Sequence, residues 1–278
     1  MANPNLRIVS NNAANAATLT TSSTAGALVA ANMQTDIKSQ IWRSTGCTSE
    51  TITALFPTPQ LVGCAILPYC NLTSAATIRV QAYSDAGVTQ IYDSGVLNAC
   101  QYAALGLWNW GYVPLGVNAF PYGGAAYAYM WFPIITAKQI KITLADPTNP
   151  SGHLDVGRLV VGTYWSPSVN ASLGASVVVN DTSVHSRNDA GDLITTIGTR
   201  SRKMTFSLTN MPTADRANLM SILTGNGMPQ PVLFSLFPQN TDPVLEQQHM
   251  IYGKISTLSP IAVTQLDRYS APVEFDEV

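Results

Sequence analysis

Charge is what this sequence has least of. Asp, Glu, Lys and Arg make up 11% of its 278 residues, under half the common share of about 25%. The formal net charge is -2, so no basic face is predicted and nucleic acid is not expected as a partner. No apolar run approaches the roughly 18 residues of a membrane span, and no membrane insertion is expected. The opening Met1-Ala2-Asn3-Pro4-Asn5 lacks the basic and apolar pattern of a secretory signal. That predicts a protein made and kept in a cytoplasm unless something carries it out. The apolar share, by contrast, is an ordinary 46%. A chain with that balance hides surface in an assembly, or presents a neutral face rich in Ser, Thr and Asn.

Catalytic and metal-binding patterns are equally scarce. The three histidines, His153, His185 and His249, lie in no G-x-S-x-G, H-E-x-x-H or His/Cys metal spacing. The four cysteines, Cys47, Cys64, Cys70 and Cys100, form no C-x-x-C pair, so they read as buried free thiols and not as a zinc site. A disulfide is disfavoured by a cytoplasmic origin. No glycine-rich phosphate loop opens a helix. Glu246, Glu274 and Glu277 with Asp276 offer carboxylates for glycan hydrolysis, but such pairs are common by chance and a solvated C-terminal edge is the expected reading. The expectation is therefore no enzyme, no catalytic residue, no metal and no cofactor.

What the chain does have is strands. Thr77–Tyr83 alternates, with Ile78, Val80 and Ala82 on one face and Arg79 and Gln81 on the other. A period of two buries one side of a sheet and wets the other. The same alternation returns at Ile140–Leu144 and Met204–Leu208, and Leu6–Val9 reads as a first strand. Leu61–Leu67 is continuously apolar, as a central strand covered on both faces would be, and Pro68 is predicted to stop it. One stretch reads as a helix: Thr213 as its cap, an apolar face from Ala217, Leu219, Met220, Ile222 and Leu223, and Gly225 and Gly227 to end it. The predicted fold class is mainly β. Residues 1–165 form a β-sandwich and 166–278 a smaller strand-helix-strand unit, divided at Trp165-Ser166-Pro167-Ser168.

The run from about Ala99 to Phe132 differs from the rest. It interleaves Trp108, Trp110, Tyr112, Phe120, Tyr122, Tyr127, Tyr129 and Trp131 with glycines and shows no sustained period. A stretch of that length reads as a functional insertion. Trp108, Trp110, Tyr112, Tyr122 and Tyr127 are its candidate contacts with a glycan or a partner protein, because flat rings stack on sugars and fill pockets at little entropic cost. The other reading is an internal plug packed on the outer face of the sheet.

Several pieces in order carry a resemblance: Asn32…Asp36 before Ile41-Trp42-Arg43-Ser44, then Asn71-Leu72…Ile78-Arg79-Val80, then Tyr92-Asp93-Ser94-Gly95, and finally Ile140-Lys141-Ile142…Asp146 to Leu159–Gly162. Over residues 1–165 they resemble the galactose-binding-like, discoidin-type jelly roll. Asp189-Ala190-Gly191-Asp192, Arg200–Met204, Met211–Arg216 and Ile251-Tyr252-Gly253-Lys254 are similar to the ring modules of tail-tube and distal-tail proteins of long-tailed bacteriophages. Known distal-tail proteins place the two modules in the opposite order. The resemblance implies a virion structural protein of the tail tip or baseplate, assembled in the host cytoplasm. It further implies a homo-oligomeric ring, expected to be a hexamer, with tube, hub and fibre proteins as partners. A carbohydrate-binding module contacting host surface glycans is the alternative, and a glycan hydrolase the third reading.

Overall fold

The computed structural model describes residues 5–100, 126–240, 243–258 and 260–278. Its strands are β1 (Arg7–Val9), β2 (Thr18–Thr21), β3 (Trp42–Arg43), β4 (Glu50–Cys70), β5 (Thr77–Tyr83), β6 (Gln90–Asp93), β7 (Leu97–Asn98), β8 (Ala126–Ala145), β9 (Asp155–Val156) and β10 (Val160–Gly162). There follow β11 (Ser176–Asp181), β12 (Val184–Arg187), β13 (Leu193–Thr196), β14 (Arg200–Met211), α1 (Thr213–Asn226), β15 (Val232–Ser235), α2 (Pro243–Gln248), β16 (Met250–Ile255), β17 (Ala262–Gln265) and β18 (Arg268–Glu277).

The strands from β2 to β10 form a nine-stranded sheet curled into a jelly-roll sandwich. Alternation sets its core. Ile78, Val80 and Ala82 stand opposite Leu144, Ile142 and Ile140 across β5 and β8, and all six side chains are fully buried. Such cross-strand pairs are the unit of sheet stability. Trp42, Ile52, Phe56 and Met33 complete this core. β4 and β8 pair from Glu50↔Leu144 to Cys70↔Ala126 and form the spine of the sandwich.

Pro68 does not stop its strand. β4 passes through Pro57, Pro59 and Pro68 because its register with β8 shifts between Leu55 and Gln60 and again between Leu67 and Cys70. Proline lacks the N–H that a regular ladder needs, and a bulge removes that need. Tyr69, inside the second shift, takes a φ of 59°. The aromatic run is also shorter than the sequence suggests, because residues 126–132 belong to β8. Their period of two is hidden, since both faces are buried: Ala128, Met130 and Phe132 enter the sandwich core while Tyr127, Tyr129 and Trp131 face away from it.

The second sheet has seven strands in the order β1-β15-β16-β18-β14-β11, with β17 beside β18. β1 pairs with β15, Arg7↔Ser235 to Val9↔Leu233. The first strand therefore belongs to the C-terminal sheet and not to the sandwich sheet. α1 covers one face of this sheet. Leu219 and Ile222 pack on a core with Phe206, Phe234 and Phe275. Those three rings stack at centroid separations of 4.5, 5.5 and 6.1 Å, each pair contributing about 0.5–1.5 kcal/mol beyond its buried area. Thr213 opens the helix but does not cap it. Pro212 occupies the cap, with no side-chain hydrogen bond to it. Gly227 ends the helix at a φ of 54°, a conformation glycine adopts without strain. Ala217 and Met220 are exposed and Asp215 is buried, its carboxylate accepting from the Ser168 N–H and Oγ–H at 2.9 and 2.6 Å.

Candidate functional site

The two sheets meet face to face. Successive residues of the second sheet alternate between its cores. Ile8, Val232, Phe234 and Ile251 point towards α1, whereas Val9, Leu233, Met250 and Tyr252 point towards the sandwich. There they meet Cys64, Ile66, Tyr69, Tyr127, Tyr129, Trp131 and Val160. A sheet with both faces buried must satisfy every polar group it covers, and hydrogen bonds cross this junction. The Tyr252 N–H donates to Tyr127 Oη at 3.0 Å, and Tyr127 Oη donates to Glu277 at 3.1 Å. Arg202 grips the same carboxylate through Nη2 at 2.6 Å. Trp131 Nε1 donates to Glu246 at 2.9 Å. Tyr252 Oη donates to Asp36 at 2.6 Å and accepts from Arg158 Nε at 2.9 Å.

Burial sets the ionisation of these groups. It pushes the Tyr127 and Tyr252 phenols well above their ordinary range. It raises the Glu246 carboxyl, against the pull of its hydrogen-bond donors. It would raise Glu277 too, but Arg202 outweighs it and the carboxyl lies below its ordinary value. The Cys64 thiol is pushed up to about 12 by burial and is inert at neutral pH.

Tyr127 is therefore not a ligand contact. It is 2% exposed, and its hydroxyl is committed on both sides. Trp108, Trp110, Tyr112 and Tyr122 lie outside the described residues. The structure does fix where their segment is rooted: Ala126 pairs with Cys70 at the end of β4, and the Cys100 and Cys70 thiols share a hydrogen bond. The run thus leaves and re-enters the sandwich at one place. The glutamates named from sequence each have a partner within the fold. Glu246 is held by Trp131 and Glu277 by Arg202, and Glu274 is taken by Lys203. His185 meets Thr195 on the surface, and His249 meets the Leu245 carbonyl beside Phe237.

One surface feature surrounds Asp189-Ala190-Gly191-Asp192, which the sequence marked only through its likeness to ring modules. β11 and β14 run on, past a pair of hydrogen bonds between Thr182 and Thr199, into the β12–β13 hairpin. Its turn is closed by Asn188 and Asp192, with Gly191 at a φ of 88°. Every residue of β12 and β13 is exposed, among them Val184, Leu193 and Ile194, with Ile197 at 87%. Val178 and Val179 of β11 are half exposed as well. β11 is an edge of the sheet, and so is β17, whose Val263 is 72% exposed. The available signal was the Asn188-Asp189-Ala190-Gly191 turn between two short β-branched segments. No helix among the described residues is long and apolar enough to cross a membrane.

No protein-family model matches the chain, and no curated protein matches it. Solved structures do show a likeness. Chitosan-binding module 1 of a chitosanase/glucanase from Paenibacillus sp. IK-5 is 17% identical, with 55% of this chain and 99% of that one covered at a TM-score of 0.38. The lectin domain of lectinolysin, solved with Lewis B antigen, is 13% identical, with 54% and 95% covered at 0.38. A CBM32 module from Clostridium perfringens, solved with GalNAc-β-1,3-galactose, is 11% identical, with 54% and 98% covered at 0.37.

Proposed function

We propose that this chain is a structural protein that assembles with copies of itself, and that it serves in the tail tip of a long-tailed bacteriophage. The observation that carries the assembly reading is the β11–β14 arm with its exposed Val184, Leu193, Ile194 and Ile197. A two-stranded hairpin is marginal by itself in water, and apolar side chains on an open edge invite pairing with another chain. The tail assignment adds the sequence resemblance of residues 166–278 to ring modules. Native mass spectrometry and negative-stain microscopy of the purified protein test assembly. A closed ring is expected, and Leu193→Asp/Ile194→Asp is expected to release folded monomers. A monomer at every concentration overturns the reading. The tail assignment is tested by density for this chain in an intact tail.

A second reading is a glycan contact through residues 101–125. It is favoured by a segment rich in Trp and Tyr whose two ends are rooted together beside Cys70. A glycan array with the Trp108→Ala/Trp110→Ala pair decides it. Binding lost in the pair supports it, and binding that survives removes these rings from the site.

A further inference from the structure

A cleft of about 390 Å³ opens where α1 passes the sandwich. We propose that it is a binding site for a neutral saccharide. The volume falls at the small end of the usual ligand range of roughly 300–1,000 Å³.

The floor of the cleft is ionic but already satisfied. Arg158 is 2% exposed. Its guanidinium donates to Tyr252 Oη at 2.9 Å, to Asn15 Oδ1 at 2.6 Å and to the Met33 carbonyl at 3.3 Å, and it lies 3.2 Å from Asp36. With that pair closed, the floor presents no free charge to attract an anion. The lining contains no other ionisable group besides Tyr252, whose ring is buried.

The walls are different. Ser10 and Asn11 come from the segment that leaves β1, Ser221 from α1, and Gln230 from the loop after it. None of these four side chains has a hydrogen-bond partner among the described residues, whereas Asn226 nearby is tied to the Ser10 carbonyl at 2.7 Å. Two carboxamides and two hydroxyls supply both donors and acceptors in one small space. A row of sugar hydroxyls is the complementary chemistry, because each is donor and acceptor at once. An apolar ligand would leave these groups unpaired. Tyr252, the aromatic residue of the lining, is buried and offers no stacking face, so millimolar affinity is expected.

Gly225 makes the site testable without disturbing the fold. It lies within α1, lines the cleft, and a Cβ built on it meets nothing within 4 Å. Gly225→Leu therefore fills the space while raising helix propensity. Saturation-transfer NMR on the full chain would use N-acetylglucosamine, lactose and cellobiose as probes, with methyl phosphate, whose methyl protons report binding, as the anionic comparison. We expect transfer to at least one sugar and none to methyl phosphate. We expect that transfer to vanish in Gly225→Leu, whose melting temperature should not fall. In Ser221→Ala/Gln230→Ala, both exposed positions, affinity should drop by about tenfold or more. Trp108→Ala/Trp110→Ala should retain it, which separates this cleft from residues 101–125. No transfer to any sugar, transfer that persists in both cleft variants, or transfer to methyl phosphate in preference to the sugars would each overturn the proposal.

Discussion

Replacing Arg202 with methionine should expose how much the junction between the two sheets depends on one ion pair. Arg202 touches Glu277 through Nη2 at 2.6 Å and through Nε at 3.2 Å, and donates Nη1–H to the Gln247 carbonyl at 3.0 Å. The side chains of the pair are 12% and 9% exposed. Removing one member of a buried pair strands the other charge and costs about 3–5 kcal/mol, against a whole stability of roughly 5–15 kcal/mol. The effect has a pH signature. Glu277 is pushed up by burial but pulled lower by Arg202, with Lys38 assisting. A carboxyl held below its unfolded value contributes stability above about pH 4.3 and loses it as pH falls through the folded value. In Arg202→Met burial dominates and the folded carboxyl rises. Its charge then opposes folding at neutral pH, and acid relieves it. The gap between native and variant midpoints in urea should therefore be widest near pH 7 and shrink towards pH 4. Arg202→Met/Glu277→Leu should recover most of the loss at pH 7. A loss below about 1 kcal/mol, or a gap that stays constant with pH, refutes the reasoning.

Tyr127→Phe should cost about 1–3 kcal/mol by urea unfolding, because it leaves the buried Tyr252 N–H without its acceptor. Gly253→Ala should abolish soluble expression or lower the melting temperature sharply, since a Cβ there would overlap the Asp276 carbonyl across β16 and β18. Thiol titration of the native protein should find Cys47 alone reactive, with Cys64, Cys70 and Cys100 joining it only in denaturant, because those three are buried.

The parts of the fold that could be read from sequence are those where one face is wet. β5 shows Arg79 and Gln81 against Ile78 and Val80, and half of β8 shows Lys141 against Ile140 and Ile142. In both, burial follows the pattern. The reading fails where contrast vanishes. Residues 127–132 are buried on both faces, so aromatic residues on one side and Ala128, Met130 and Phe132 on the other look like an unpatterned loop. β12 and β13 are exposed on both faces and fail for the opposite reason. The pairing of β1 with β15 joins Arg7 to Ser235, and no local signal encodes a partner that far along the chain. At Tyr127 composition leaves both readings open, because it does not tell a stacking platform from an interior anchor; burial in the junction matches the anchor.

The same burial limits how copies of the chain can meet. A sheet has two faces and two edges. In the second sheet α1 with the phenylalanine core closes one face, and the sandwich closes the other through Tyr252, Leu233 and Met250. At the β1 edge, Ile8 is bridged to Trp165 by reciprocal hydrogen bonds at 2.9 and 2.8 Å. Among the described residues, what remains open is β11 with its hairpin arm and the short β17. These are different strands, so pairing β11 of one copy with β17 of the next would be heterologous, the kind of contact that closes into a ring or runs on as a filament. An isologous dimer would instead pair β11 with β11. A charge placed on β17, Val263→Lys, discriminates between them: it should break a ring as effectively as Leu193→Asp/Ile194→Asp, and should leave a β11-paired dimer intact.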